Sequence, residues 1–222
     1  MTVVFDPFQL KRDKQLDPSV TAILIIDMQR GELTEKQRIE HPEYWQVMHG
    51  RTLPAAKKLI DEGRKAGCEI IYTVIESLTK DGRDRSLDHK LSNIHFARGS
   101  EEAKMIPTVT PAGDDIVLPK TSSGVFNSTN IDYVLRNLSI ENVVVAGILT
   151  DQCVDMAVRD GADRGYYMVC AQDACATYTA ERHETALKAF GGYCRVQKVD
   201  EILDTLTADR STKRFEPEVR SP

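Results

Sequence analysis

The chain has 222 residues, of which 41% are hydrophobic, and its formal net charge is −5. This length supports one domain over residues 1–222, and the scattered Lys and Arg residues form no basic patch for nucleic acid. The N-terminal apolar run is too short for a signal peptide and no segment is long enough to cross a bilayer, so we expect a soluble cytoplasmic protein.

Short apolar runs alternate with helical patterns along the chain. The predicted strands are 22–28, 69–75, 115–119, 142–147, 166–172 and 195–199, and the predicted helices are 51–66, 130–137, 151–165 and 180–190. Continuous hydrophobic strands separated by helices are typical of a parallel sheet covered on both faces. The predicted fold class is therefore α/β, a three-layer α/β/α domain with a mostly parallel, doubly wound six-stranded sheet. Its core covers about residues 21–199, with polar extensions at both ends.

Two segments interrupt this alternation. Residues 79–100 are polar and charged and follow the end of a predicted strand, the edge at which open parallel sheets bind ligands. This segment is interpreted either as a lid or subunit contact, or as a solvated excursion. The tail over 207–222 is charged and aperiodic, which indicates a loosely held terminus or an arm on a neighbouring subunit.

The cysteines indicate a candidate nucleophile. There are five, in irregular spacing and without a CxxC pair, which argues against a disulfide framework or a zinc ribbon and favours free thiols. Cys153 lies just after the apolar run 143–148, at the start of a predicted helix. Because a helix N-terminus favours the thiolate, we expect Cys153 to be placed for chemistry.

Two further strand ends carry ionisable side chains. Asp27 follows the apolar run 22–26 and Lys120 follows the predicted strand 115–119, and the carboxyl ends of parallel strands lie on one edge of the sheet. Singly, each residue is more often a solvated cap. Together with Cys153, the carboxylate would take the thiol proton and later return it, and the ammonium would favour the ionised forms of both. Backbone N–H groups of the 149–153 turn would stabilise the oxyanion.

Other chemistries find no motif in the sequence. GxGxxG after the first strand, GxxxxGK[ST] and HExxH are all absent, so dinucleotide, P-loop and zinc-protease functions are unsupported. The five histidines lack ligand spacing, and His183 is interpreted as a packing or capping residue of its helix. We expect no cofactor and no metal.

Three separated motifs resemble those of the isochorismatase-like cysteine hydrolases. They are IIDMQ at 25–29, LPK at 118–120 with SGVF at 123–126, and VAGILTDQCV at 145–154, and their order and spacing match over about residues 21–199. The resemblance implies Cys153 as nucleophile, Asp27 as base and Lys120 as the third member of the catalytic triad. It also implies a cis peptide between Ile148 and Leu149, with oxyanion donors at the N–H groups of Leu149 and Cys153. Members of this family are commonly homo-oligomers, here a dimer or tetramer.

The branch of the family is a separate question. Nicotinamidases carry an Asp-x-His metal site after the second strand, and the segment 72–78 here has no histidine. Isochorismatases hydrolyse a vinyl ether and do not strictly need the thiol, so the complete triad favours an amidohydrolase that cleaves a small amide or ureido/carbamoyl compound. The alternatives are an isochorismatase and a non-catalytic or redox-sensing member. Candidate substrate-binding residues are Glu76, Phe126, Asn127, Gln152 and Tyr178.

Overall fold

Six parallel strands form the central sheet. In the computed structural model, which describes residues 13–206, they are β1 (Thr21–Ile26), β2 (Glu69–Ile75), β3 (Ile116–Lys120), β4 (Asn142–Ile148), β5 (Tyr167–Ala176) and β6 (Arg195–Gln197). Their order across the sheet is β3-β2-β1-β4-β5-β6. The predicted α/β class with a doubly wound sheet is confirmed, whereas the tail at 207–222 lies outside the described residues.

Helices cover both faces of this sheet. They are α1 (Glu35–Glu40), α2 (Pro42–Val47), α3 (Leu53–Ala66), α4 (Leu87–Leu91), α5 (Val125–Ser128), α6 (Ile131–Asn137), α7 (Asp155–Asp163), α8 (Ala180–Phe190) and α9 (Val199–Thr205). A 3-10 turn spans Arg30–Glu32, and π-helical turns span Met48–Thr52 and Thr150–Val154. Within residues 13–206, no helix is long and apolar enough to cross a membrane.

The core consists of two hydrophobic layers separated by the sheet. On β1, Ile23 and Ile25 pack with α3 and α9, whereas Leu24 and Ile26 face α5, α6, α7 and α8. All six residues of β1 are buried, which explains its continuous apolar sequence. The strand order reverses between β1 and β4, and the crevice at such a reversal is where open α/β sheets bind ligands.

The C-terminal end of the sheet corrects two predicted boundaries. The sixth strand ends at Gln197, and Val199 begins α9 rather than ending the strand. The Val199 N–H donates to the Asp173 carboxylate at 2.9 Å, and the Lys198 N–H donates to Glu201 at 2.7 Å. These contacts cap a helix start that apolar spacing alone does not reveal. The fifth strand also continues to Ala176, past a register irregularity opposite β4.

Candidate active site

Three side chains from three different strand ends meet at the strand-order reversal. Asp27 follows β1, Lys120 ends β3, and Cys153 lies in the π-helical turn after β4. The Lys120 Nζ lies 2.8 Å from the Asp27 Oδ2 and 3.4 Å from the Cys153 Sγ. The lysine and aspartate side chains are 0% and 2% exposed. The structure thus brings the three predicted catalytic residues into one buried cluster.

The Lys120 ammonium is held from two sides. Besides Asp27 and Cys153, it donates to the carbonyl oxygens of Ser122 at 2.9 Å and Ser123 at 3.2 Å. Burial disfavours the ammonium, but the negative charge of Asp27 and the hydrogen bonds to Asp27 and Cys153 offset this, so the pKa of Lys120 is raised. The cluster therefore contains a permanent cation.

The backbone at Asp27 fixes the direction of its carboxylate. Its φ is +54°, in the left-handed region that residues other than glycine adopt rarely and that recurs at functional sites. The Asp27 N–H donates to the Thr73 carbonyl at 3.1 Å, and the Thr73 hydroxyl donates to the Asp27 Oδ1 at 2.9 Å. One carboxylate oxygen is thus held by β2, and the other faces Lys120.

The Cys153 thiol is protonated at rest. Burial raises the pKa of Cys153 to about 12; the Lys120 ammonium lowers it, whereas Asp27, to which the thiol donates, raises it. The helix-start position suggested a thiolate, but desolvation of the 5% exposed side chain outweighs that effect. A base must therefore remove the proton as sulfur attacks, and the Asp27 carboxylate is adjacent to it.

The turn that carries Cys153 follows a cis peptide bond between Ile148 and Leu149, which confirms that prediction. Within the turn, the Leu149 carbonyl accepts from the N–H groups of Gln152 at 3.1 Å and Val154 at 3.2 Å. These two hydrogen bonds to the Leu149 carbonyl hold the turn together from within. The oxyanion role of the Leu149 and Cys153 N–H groups stays a prediction.

Side chains from α8 and from Thr177, just after β5, support the same turn. The Thr150 hydroxyl lies 2.8 Å from the His183 Nδ1, so this histidine packs behind the nucleophile. The Asp151 carboxylate accepts from the Thr177 hydroxyl and the Arg182 guanidinium, both at 2.6 Å. These contacts tie the turn to the following strand and helix.

A cavity of about 340 Å³ opens above Asp27 and Cys153. One wall comes from the loop after β1 and from α1, and another comes from the 79–100 segment. That segment contributes His89 and Ser92 to Phe96 to the wall, and its Ser86 N–H donates to the Thr121 carbonyl at 2.9 Å. This position favours a ligand-binding role for the segment over a solvated excursion.

Comparison with known proteins agrees with this arrangement. The family model described as Isochorismatase domain matches residues 21–201. The chain belongs to the isochorismatase family. It is 30% identical over 175 residues to ureidoacrylate amidohydrolase RutB of Rhizobium rhizogenes, a match covering 72% of this chain and 71% of that protein.

Solved structures show the same isochorismatase-family fold. A cysteine hydrolase from Pseudomonas syringae pv. phaseolicola superposes with a TM-score of 0.76 at 22% identity, over 86% of this chain and 94% of that one. N-carbamoylsarcosine amidase from Thermoplasma acidophilum gives 0.66 at 25% identity, over 81% of this chain and 96% of that one. The fold expected from the three motifs is therefore shared with cysteine hydrolases.

Two of the five candidate substrate-binding residues, Gln152 and Tyr178, line this isochorismatase-family pocket. The other three lie outside the lining of this pocket. The Glu76 carboxylate accepts from the Gly99 N–H at 2.7 Å, so it anchors the 79–100 segment. Phe126 is buried in a core layer against Tyr166, because α5 turns it behind the sheet. Asn127 is exposed on α5.

Two pocket residues were missed by the sequence reasoning. Burial and the charge of Asp27 raise the pKa of Glu32 to about 7, and Lys120 lowers it. Burial and the Lys120 charge lower the pKa of His89, whose Nε2 lies 3.4 Å from the Ser123 hydroxyl. The only signal for Glu32 is its place in the short loop five residues after Asp27, where an acidic residue is usually solvated.

The acidic and imidazole groups around the isochorismatase-family pocket do not gather into a metal site. Across residues 13–206, no group of three or more His, Cys, Asp or Glu side chains is arranged to hold a metal ion.

Proposed function

We propose that this protein is a cysteine hydrolase that cleaves the C–N bond of a small amide or ureido/carbamoyl compound through a thioester on Cys153. The observation that carries the proposal is the buried cluster in which the Lys120 ammonium contacts both the Asp27 carboxylate and the Cys153 sulfur. The relatives named as ureidoacrylate amidohydrolase and N-carbamoylsarcosine amidase support it.

Acylation begins with the neutral thiol. Asp27 accepts the thiol proton while the sulfur attacks the carbonyl carbon, and the negative charge moves to the carbonyl oxygen. We assign the stabilisation of this oxyanion to the N–H groups of Leu149 and Cys153. The Asp27 carboxyl then donates its proton to the leaving nitrogen, the C–N bond breaks, and ammonia or an amine departs.

Deacylation uses the same groups in reverse. The Asp27 carboxylate removes a proton from water as the water oxygen attacks the thioester carbon. The C–S bond breaks, and the proton held by Asp27 returns to the sulfur. A carboxylic acid leaves from an amide substrate and carbamate from a ureide, and the neutral thiol is restored. Lys120 stays charged throughout, which fits its raised pKa.

The buried thiol argues against a redox sensor. Sensor cysteines combine a low pKa with solvent access, because the thiolate is the form that peroxide oxidises. Burial instead raises the pKa of Cys153 to about 12, and only 5% of the residue is exposed. A vinyl-ether substrate remains the alternative that the assay must separate, since its hydrolysis does not strictly require a thiol.

The proposal is tested by assaying ammonia release from a panel of small amides and ureides. We expect turnover by the native chain and a loss of roughly a thousandfold or more in Cys153→Ala, with the fold unchanged by circular dichroism. Mass spectrometry of the native chain mixed with substrate should detect the acyl adduct on Cys153. Full activity in the variant contradicts covalent catalysis, and pyruvate release from isochorismate without ammonia from any amide favours the vinyl-ether reaction.

We also propose a cytoplasmic location and a small-molecule partner for this protein. All five cysteines are free thiols, which supports a reducing cytoplasmic compartment. The net charge of −5 supports a small molecule, rather than nucleic acid or a membrane, as the partner.

A further inference from the structure

The acidic residue Glu32 stands in the catalytic pocket without a function in the proposed reaction. It ends the 3-10 turn Arg30–Glu32 and lines the same cavity as Asp27 and Cys153. It is thus placed to meet the part of a substrate that lies beyond the reacting carbonyl.

The backbone around Glu32 is held from several directions. The Gly31 N–H donates to the Glu102 carbonyl at 2.9 Å, and a Cβ on Gly31 would lie 2.2 Å from the Phe96 ring. The Tyr44 hydroxyl donates to the Glu32 carbonyl oxygen at 3.2 Å. The backbone that carries the Glu32 side chain is therefore fixed by the fold before any ligand arrives, which a specificity group requires of its support.

No hydrogen-bond donor among residues 13–206 reaches the Glu32 carboxylate. Within residues 13–206, no side chain forms a hydrogen bond or ion pair with it, although burial and Asp27 raise its pKa to about 7. The neighbouring Arg30 pairs instead with Glu101 at 2.8 Å. A half-buried carboxylate that opens into a cavity gains most from a ligand that donates hydrogen bonds to it.

The remaining charges of the pocket disfavour an anionic ligand. Among the described residues that line the pocket, none is an arginine, and the lysine is Lys36. The Lys36 side chain lies at the rim, is 74% exposed, and places its Nζ 3.9 Å from the Glu40 carboxylate. Burial and Lys120 lower the pKa of His89, so this histidine is neutral near neutral pH. Because the buried ammonium of Lys120 is already paired with Asp27, a carboxylate on the substrate would meet Glu32 without an unpaired buried cation.

We propose that Glu32 is a specificity-determining residue that accepts hydrogen bonds from an amino or second carbamoyl group of the substrate and rejects substrates that carry a carboxylate. The inference rests on the proposed amide or ureide hydrolysis and names its substrate class. It sets this chain apart from its relative named for ureidoacrylate, because an acrylate is an acid.

The inference is tested with three ureides. They differ only in the group at the end of the chain that is attached to the carbamoyl nitrogen. They are N-carbamoyl-β-alanine, which is an acid, its uncharged primary amide, and N-(aminoethyl)urea, which is a cation. For the native chain we expect kcat/KM for the amine and the amide to exceed that for the acid by about tenfold or more. In Glu32→Gln the preference for the amine over the acid should fall by about tenfold, mainly through KM. Glu35→Gln removes the same charge from an exposed residue of α1 and should leave the ratio within about twofold.

Binding to the inactive Cys153→Ala chain separates this inference from the proposed reaction. Calorimetry with the three ureides should show the amine bound about tenfold more tightly than the acid, and adding Glu32→Gln should remove that difference. Acid bound as tightly as the amine, no effect of Glu32→Gln, or no binding by any of the three overturns the role of Glu32. Selective binding together with no turnover by the native chain supports Glu32 and contradicts the proposed hydrolysis instead.

Discussion

At the scale of single residues, the active site combines a buried ion pair with a neutral thiol. Lys120 and Asp27 offset each other's cost of burial, and the two backbone carbonyls of Ser122 and Ser123 satisfy the remaining ammonium donors. The thiol contributes no charge until it reacts. The proton on sulfur and the carboxylate that accepts it are thus both present before substrate binds.

Replacing both partners of this ion pair should cost less free energy of unfolding than the two single replacements added together. Lys120→Met leaves the Asp27 charge buried and unpaired, and we expect a loss of about 3 kcal/mol in the free energy of unfolding. The double variant Asp27→Asn/Lys120→Met should lose less than the sum of the two single variants, measured by urea denaturation. Additive losses would show that the two charges do not stabilise each other.

The raised pKa of Glu32 predicts a pH-dependent stability. The ordinary pKa of a glutamate is 4.5, and the fold raises the pKa of Glu32 to about 7. Between pH 4.5 and about pH 7 the folded state therefore binds more protons than the unfolded state. Stability then falls as pH rises through this window, and the penalty is complete above it. From about pH 5 to about pH 8, Glu32→Gln should gain roughly 2 kcal/mol relative to the native chain in urea denaturation. A constant difference between the two chains across this range would contradict the shift.

At the scale of elements, the turn after β4 depends on a glycine beside β1. Gly147 has φ of +144°, and a Cβ there would lie 2.3 Å from the Ile26 carbonyl oxygen. We expect Gly147→Ala to lose roughly 3 kcal/mol or more of stability and to lower kcat, because the displaced strand end leads to Cys153. Chemical denaturation and the amide assay measure the two effects.

Gly67→Ala is the matched control for this substitution. Gly67 also has a positive φ, +99°, but no atom lies within 4 Å of an added Cβ at this helix end. Its cost should therefore be about 1 kcal/mol, from backbone conformation alone, with kcat unchanged. Equal losses at the two glycines would mean that the close contact with β1 carries no cost.

Elements with a clear apolar pattern were predictable from sequence, and those determined by tertiary contacts were not. The strand at 69–75 and the helix at 180–190 match the structure because their apolar patterns alone specify them. By contrast, α1 has no buried residue and hence no apolar face to detect. The start of α9 depends on Asp173, a cap supplied from β5 across the fold.

At the scale of the whole molecule, the sheet topology explains which parts of the site the sequence reveals. The three catalytic candidates, Asp27, Lys120 and Cys153, lie at or just after the carboxyl ends of strands. A parallel sheet brings these ends to one edge for any conformation of the loops. The pocket walls come from loop segments whose path the local pattern does not determine. For that reason Glu32 and His89 were missed, and Phe126, the last residue of the SGVF motif, lies in a core layer instead of the pocket lining.

The predicted homo-oligomer belongs to this scale, and α4 offers a surface for it. His89 on this helix is buried at the pocket, whereas Leu87 and Leu91, one turn apart, are 72% and 78% exposed. Exposed apolar pairs of this kind mark contact surfaces, and we expect a second copy of the chain to cover them. Sedimentation equilibrium should give a multiple of the chain mass.

Leu87→Glu/Leu91→Glu should dissociate this assembly. Because α4 forms part of the pocket wall through His89, loss of the contact should also raise KM. The control is Tyr133→Glu on α6, where the native residue is 70% exposed. It should change neither the mass of the assembly nor KM. A native chain that sediments as a monomer contradicts the oligomer. An intact oligomer in the double variant would place the contact elsewhere on the surface.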